Sequence, residues 1–182
     1  MDRFFFERDA RRYVVSHAVL RTVLGRIIDV PPEEVMLETE AGGRPFLRNV
    51  GTRLHFSLSR SNERVLIGAA SRPLGVDIEW LAAPIDADGL AATVFSAAER
   101  LVFEQMRPQT RQEMLLRCWT WKEAILKATG RGLFIPPTAA EVLLTPCSVM
   151  MGRATIVCLG SCWQVMSVLP QPGFIGAVAL AK

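Results

Sequence analysis

The segment Leu74-Gly75-Val76-Asp77-Ile78-Glu79-Trp80 carries the most pointed chemical pattern of the chain. Side chains alternate along an extended strand. Leu74, Val76, Ile78 and Trp80 therefore share one face, and Asp77 and Glu79 share the other, with Gly75 leaving space beside them. Two such carboxylates stand roughly 6–7 Å apart along a strand and repel unless something positive lies between them. A hard divalent cation such as Mg²⁺ meets that need, since it takes a few carboxylates together with waters and phosphate oxygens. A solvated strand face would carry the same pattern. Further on, Trp119-Thr120-Trp121-Lys122-Glu123-Ala124-Ile125-Leu126-Lys127 sets Glu123 and Lys127 four apart, on one helical face. They form either a weak surface ion pair or a third acid beside a phosphate-facing lysine. Three acids and a lysine suit phosphoryl transfer, in which a metal and cations stabilise charge on the transferred group. Phe56-Ser57-Leu58-Ser59-Arg60-Ser61 adds hydroxyls and an arginine able to hold phosphate, or else a solvated turn. Arg44, in the turn Gly43-Arg44-Pro45, is a second such arginine.

The elements that must position these residues follow from the surrounding pattern. Asp9 to Ile28 reads as an amphipathic helix with Val14, Val15, Ala18, Val19, Val23 and Leu24 as its apolar face, stopped by Pro31-Pro32. Strands are expected at 35–40, 54–58, 65–70 and 74–80. Ser96-Ala97-Ala98-Glu99 is a capping box that opens a helix. A second helix runs over 112–129 and ends at Gly130. Three strand regions follow, at 141–144, 154–168 with a hairpin turn at Gly160-Ser161, and 174–181. The composition turns Ala-rich after Pro84, which predicts an N-terminal lobe over 1–83 and a C-terminal lobe over 84–182. Each half has one long helix and several strands, and the fold class is α+β.

Composition narrows the partners. The chain has 182 residues, with 21 Lys and Arg against 18 Asp and Glu, and half of it is hydrophobic. Such a chain can bury a core, so disorder is not its description. No dense basic block marks a nucleic-acid binder. The uncharged stretch 154–181 is broken by Gly160, Pro170, Pro172, Gly173 and Gly176, so it reads as strands and turns rather than a membrane span. Cys118, Cys147, Cys158 and Cys162 have no zinc-site spacing and read as buried free thiols of a cytoplasmic protein.

Taken in order, Gly43-Arg44-Pro45, Phe56 to Ser61, Gly75-Val76-Asp77-Ile78-Glu79, Phe95-Ser96 with Glu99, and Trp119 with Lys122-Glu123-Ala124 and Lys127 resemble the 4′-phosphopantetheinyl transferase superfamily, surfactin-synthetase-activating type. The resemblance implies two pseudo-symmetric lobes, each a long helix on a small, mostly antiparallel sheet. It implies transfer of phosphopantetheine from coenzyme A to a serine of an acyl or peptidyl carrier protein, with Mg²⁺ and adenosine 3′,5′-bisphosphate as leaving group, by a cytoplasmic monomer. Carried over, Asp77, Glu79 and Glu123 hold the metal, with Asp77 also toward the pyrophosphate. Glu123 is a candidate base, Lys127 binds phosphate, Arg44 faces the 3′-phosphate, and Ser59 and Arg60 touch the nucleotide. Arg60 stands where the family usually has histidine, and Arg44 where it usually has lysine. An opening strand and its basic residues, usual before the first helix, are expected to be missing; Arg8, Arg11 and Arg12 either substitute for them or are solvated on the helix surface, the latter for most of them. A non-catalytic coenzyme A or carrier binder, or a metal-dependent nuclease, would use similar residues.

Overall fold

A computed structural model describes residues 6–40, 43–48, 54–131, 134–142 and 152–182. The N-terminal half begins with helix α1, Glu7–Ile28, whose chain leaves through Asp29 in the left-handed region at φ 58°. Strands β1, Leu37–Thr39, and β2, Pro45–Leu47, form one antiparallel pair. Strands β3, His55–Ser61, and β4, Arg64–Ala70, form another. Strand β5 is Leu74–Trp80, as its alternation predicts. The C-terminal half adds helices α2, Ala87–Val94, α3, Ala97–Glu104, and α4, Pro108–Thr129, then strands β6, Arg153–Cys158, β7, Ser161–Val168, and β8, Phe174–Ala181. Its antiparallel sheet has the order β5-β8-β7-β6. The result is α+β, with a 22-residue helix in each half. Strand β5 lies before the composition break expected at 83/84, yet its ladder runs across that break to β8.

Several sequence signals become structure with small shifts. The capping box at Ser96 and Glu99 closes in both directions. Helix α4 starts earlier than its apolar pattern suggested because Pro108 sits in its first turn, where the missing N–H costs nothing. It ends at Gly130, φ 74°. The β6–β7 turn falls at Leu159-Gly160 (φ 51° and 76°), one residue before the expected pair, as a two-residue hairpin loop requires. Of the strand expected at 141–144, Glu141 and Val142 belong to no strand, and positions 143 and 144, like Cys147, lie outside the described residues. Cys118 and Cys158 are buried thiols, but Cys162 is exposed, because alternation along β7 turns it outward while Trp163 and Val165 turn in. No helix among the described residues is long and apolar enough to cross a membrane.

The apolar face of α1 differs from the expected one. Ser16, Leu20, Leu24 and Gly25 are its buried residues, whereas Val14, Val15 and Val19 are 54%, 54% and 40% exposed. The docked stripe is set by the small core of Leu20, Leu24, Val35 and Phe56, and by the chain folding back against Gly25 after Asp29. The larger core lies between α4 and the four-stranded sheet, with Leu115, Trp121, Ile125, Ile156, Trp163 and Val165 buried in it.

Candidate active site

The site lies on the seam where β3, β5 and α4 meet. The seam is close because Gly75 faces the helix. A methyl group there would fall on the Ala124 carbonyl oxygen and within 2.6 Å of the Ala128 amide nitrogen. The space that glycine leaves beside the two acids is therefore filled by helix backbone. The close contact carries a benefit: Glu123, on one side of Ala124, and Lys127, on one side of Ala128, are drawn to the acidic face of β5.

Two parallel rungs cross the seam. In the first, Asp77 Oδ1 accepts from Ser59 Oγ at 2.7 Å and from Lys127 Nζ at 2.6 Å. In the second, Glu79 accepts from Ser61 Oγ at 2.9 Å through Oε2 and from Trp119 Nε1 at 3.2 Å through Oε1. Each carboxylate is thus gripped from β3 on one side and from α4 on the other. Trp119, Glu123 and Lys127 are spaced i, i+4, i+8 and share a helix face. Ser57, Ser59 and Ser61 alternate along β3 and reach β5 in rising order, so β3 runs in the same direction as β5. The hydroxyls of Ser57 and Ser61 also accept from the backbone N–H groups of Val76 and Trp80, at 3.1 and 2.9 Å.

Charge on this seam is unbalanced. Asp77, Glu79 and Glu123 face the ammonium of Lys127, which leaves two negative charges in excess if all three acids ionise. Burial pushes the Asp77 carboxyl above its ordinary range, and Lys127 and Ser59 pull against that rise. Glu79 is pushed up by burial and by the charge of Asp77. Glu123 is pushed up by burial, then by Asp77, with a smaller push from Glu79. Asp77 Oδ2 is buried without a hydrogen-bond partner, and Glu123 makes no hydrogen bond or ion pair among the described residues. An orphaned buried carboxylate oxygen and a surplus of two negative charges, on oxygen donors only, fit a hard divalent cation. Among the described residues no three His, Cys, Asp or Glu side chains form a cage that would hold a metal by themselves. Mg²⁺ does not need a full protein cage, since it keeps waters and takes substrate phosphate oxygens as ligands.

The remaining candidate residues are dispersed. Arg44 lies over the C-terminal end of α4, close enough to Gly130 that a methyl there would meet Arg44 Nη1 at 2.8 Å. Arg60 points away from the rungs, because alternation turns it opposite to Ser59 and Ser61. Its guanidinium donates to Ser16 Oγ at 3.2 Å and stacks over Tyr13 at 5.3 Å. There it lines a groove of about 680 Å³ between α1 and the β3–β4 turn, together with Arg8, Arg11, Arg12 and Arg64. Asp9 and Glu63 share that groove, and Arg12 is paired with Glu63.

Lys122 has a role that the sequence did not reveal. It is fully buried and donates to Glu99 Oε2 at 2.8 Å and to the carbonyls of Pro137 and Ala140 at 3.1 and 2.8 Å. Glu99 also accepts from the N–H groups of Ser96 and Val142. This ion pair ties α3, α4 and the 137–142 segment together, and its polar groups are satisfied, the condition under which a buried pair is tolerated. Trp119 was likewise visible only as a motif letter. The helical spacing to Glu123 and Lys127 was the signal that placed it on the site's face.

The seam sets acids, hydroxyls and one ammonium side by side in an α+β protein. Its family is given by comparison. Residues 73–168 match the family model described as the 4′-phosphopantetheinyl transferase superfamily, and residues 1–72 match that of the 4′-phosphopantetheinyl transferase N-terminal region. The chain belongs to the 4′-phosphopantetheinyl transferase superfamily, of the surfactin-synthetase-activating type that its motifs suggested. It is 31% identical to 4′-phosphopantetheinyl transferase HetI of Nostoc sp., over 99% of this chain and 75% of that protein. It is 33% identical to 4′-phosphopantetheinyl transferase psf-1 of Bacillus pumilus, over 72% of this chain and 55% of that one. With 4′-phosphopantetheinyl transferase Sfp of Bacillus subtilis it shares 27% identity, over 78% of this chain and 62% of the relative. The matches thus span between about half and three quarters of these relatives.

Proposed function

We propose that the protein transfers the 4′-phosphopantetheine group of coenzyme A to a serine hydroxyl of an acyl or peptidyl carrier protein, in the cytoplasm and as a monomer. The observation that carries this reading is the pair of rungs with Glu123 beside them, making no hydrogen bond or ion pair among the described residues. Asp77, Glu79 and Glu123 would hold Mg²⁺, which when bound offsets charge on the pyrophosphate. Glu123 takes the proton of the carrier serine, directly or through water. The serine oxygen forms a bond to the phosphorus that bears pantetheine. The bond from that phosphorus to the bridging oxygen breaks, and adenosine 3′,5′-bisphosphate leaves with the electron pair. Lys127 faces the same oxygens. Its three protons go to Asp77, Ser59 and, at 3.3 Å, the Val76 carbonyl. Contact with phosphate therefore costs it the weakest of these bonds. The arginine groove beside Arg60 supplies positive charge for the nucleotide's phosphate, and Arg44 supplies it at the end of α4.

The test is to mix the protein with Mg²⁺, coenzyme A and apo carrier proteins of fatty-acid, polyketide and nonribosomal-peptide type, and to weigh the carriers. A phosphopantetheine mass gain is expected on at least one carrier. Glu123→Gln is expected to lower the rate roughly 100-fold or more while the fold persists. Absence of any mass gain across the three carrier types would sink the reading, and coenzyme A binding without turnover would make the protein a non-catalytic binder.

A further inference from the structure

The two acids of β5 are not held alike, and the difference identifies two residues with a role of their own. Asp77 is gripped by a cation, Lys127, and keeps one oxygen without a partner among the described residues. Glu79 has both oxygens engaged, and both donors are neutral: the Ser61 hydroxyl and the Trp119 indole N–H. Indole nitrogen donates a hydrogen bond and carries no charge. It fixes the direction of a carboxylate without cancelling it. Ser61 is itself fixed, because its oxygen accepts from the Trp80 N–H at 2.9 Å while its proton goes to Glu79. Trp119 is fixed by its place on α4, where it packs against the larger core.

We propose that Trp119 and Ser61 are positioning residues that hold both oxygens of Glu79, through neutral donors, turned toward a divalent cation. This rests on the proposed metal-dependent transfer. A lysine or arginine in place of Trp119 would hold the same oxygen but remove the second of the two excess negative charges. The seam would then lose much of its attraction for the cation. The division of work follows: the Asp77 rung is neutralised by its own lysine, and the Glu79 rung is held by neutral donors.

The experiment uses Mn²⁺ as the metal probe. Its binding to the intact protein is followed by electron paramagnetic resonance, with and without coenzyme A. Trp119→Phe keeps the ring bulk and removes the donor, and Ser61→Ala removes the other donor. Each is expected to weaken Mn²⁺ binding roughly 10-fold, as loss of a bond behind a metal ligand does. Each should also raise the Mg²⁺ concentration for half-maximal transfer by a similar factor, with a much smaller fall in kcat at saturating Mg²⁺. Trp119→Arg is expected to weaken Mn²⁺ binding further than Trp119→Phe. Circular dichroism establishes which variants fold, and Ser61→Ala carries the test if Trp119→Phe does not. Variants that bind Mn²⁺ as tightly as a parent that itself binds it would overturn the inference and leave the proposed transfer standing. A Trp119→Arg variant that binds as well as Trp119→Phe would overturn the charge argument. A parent that transfers the group yet binds no Mn²⁺ would overturn the inference alone, and a parent that neither binds Mn²⁺ nor transfers would overturn both.

Discussion

At the scale of residues, the site is a problem in packing like charges. Asp77, Glu79 and Glu123 are all pushed above the ordinary carboxylate range, with burial as the first cause. An acid whose folded pKa is raised binds its proton more tightly folded than unfolded. Between the unfolded pKa and the raised one, the folded state holds more protons, so stability falls as pH rises through that window. Without metal, the melting temperature is expected to drop as pH climbs from the ordinary carboxylate range toward neutrality, and Mg²⁺ should restore it on the neutral side. Melting curves across pH with and without Mg²⁺ check this, and a metal-free melting temperature that rises over the window would refute it. Lys127 offers a second measurement. Lys127→Gln removes the positive charge beside Asp77, so Mn²⁺ binding without coenzyme A should stay equal or tighten, while transfer falls roughly 100-fold. A variant that loses Mn²⁺ affinity would show that Lys127 organises the metal ligands rather than the phosphate.

At the scale of elements, one glycine decides how near the helix can come to the strand. Gly75→Ala would press a methyl onto the α4 backbone at Ala124 and Ala128, which cannot move aside like a flexible side chain. Overpacking of this kind costs about 1–3 kcal/mol. Chemical denaturation should show a loss at the upper end of that range, and a weaker coenzyme A response, because Glu123 and Lys127 would retreat with the helix. Unchanged stability would mean that the seam is looser than its geometry. This element scale is also where the sequence was most and least informative. Asp77, Glu79, Glu123 and Lys127 could be found because periods of two and four put them on single faces. Gly75 was read as leaving space beside the two acids, since alternation tells which face a residue is on but not what packs there. Lys122 stands beside Glu123 in the chain and looks equally polar. Its burial depends on Glu99 and the Pro137 and Ala140 carbonyls, which are distant in sequence. The valines of α1 misled for the same reason: helical period gives candidate stripes, and the tertiary neighbours choose between them.

At the scale of the whole molecule, the two halves repeat a long helix on antiparallel strands and are joined at β3 and β5 through side chains. The β3–β4 pair and the four-stranded sheet are separate hydrogen-bonded sheets, and β3 meets β5 through the serine hydroxyls of its alternate residues. The amide protons of Val76 and Trp80 therefore rest on side-chain oxygens rather than on a neighbouring strand's carbonyls. A hydroxyl can swing away by rotation about one bond, whereas a ladder must part along its length. The junction should thus open in small steps, and those two protons should trade with solvent deuterium sooner than the amides laddered between β7 and β8. Binding of coenzyme A with Mg²⁺ across the same junction should slow Val76 and Trp80 and leave the β7–β8 amides as they were. Their exchange rates would serve as a gauge of how firmly a ligand clasps the two halves, readable without any turnover.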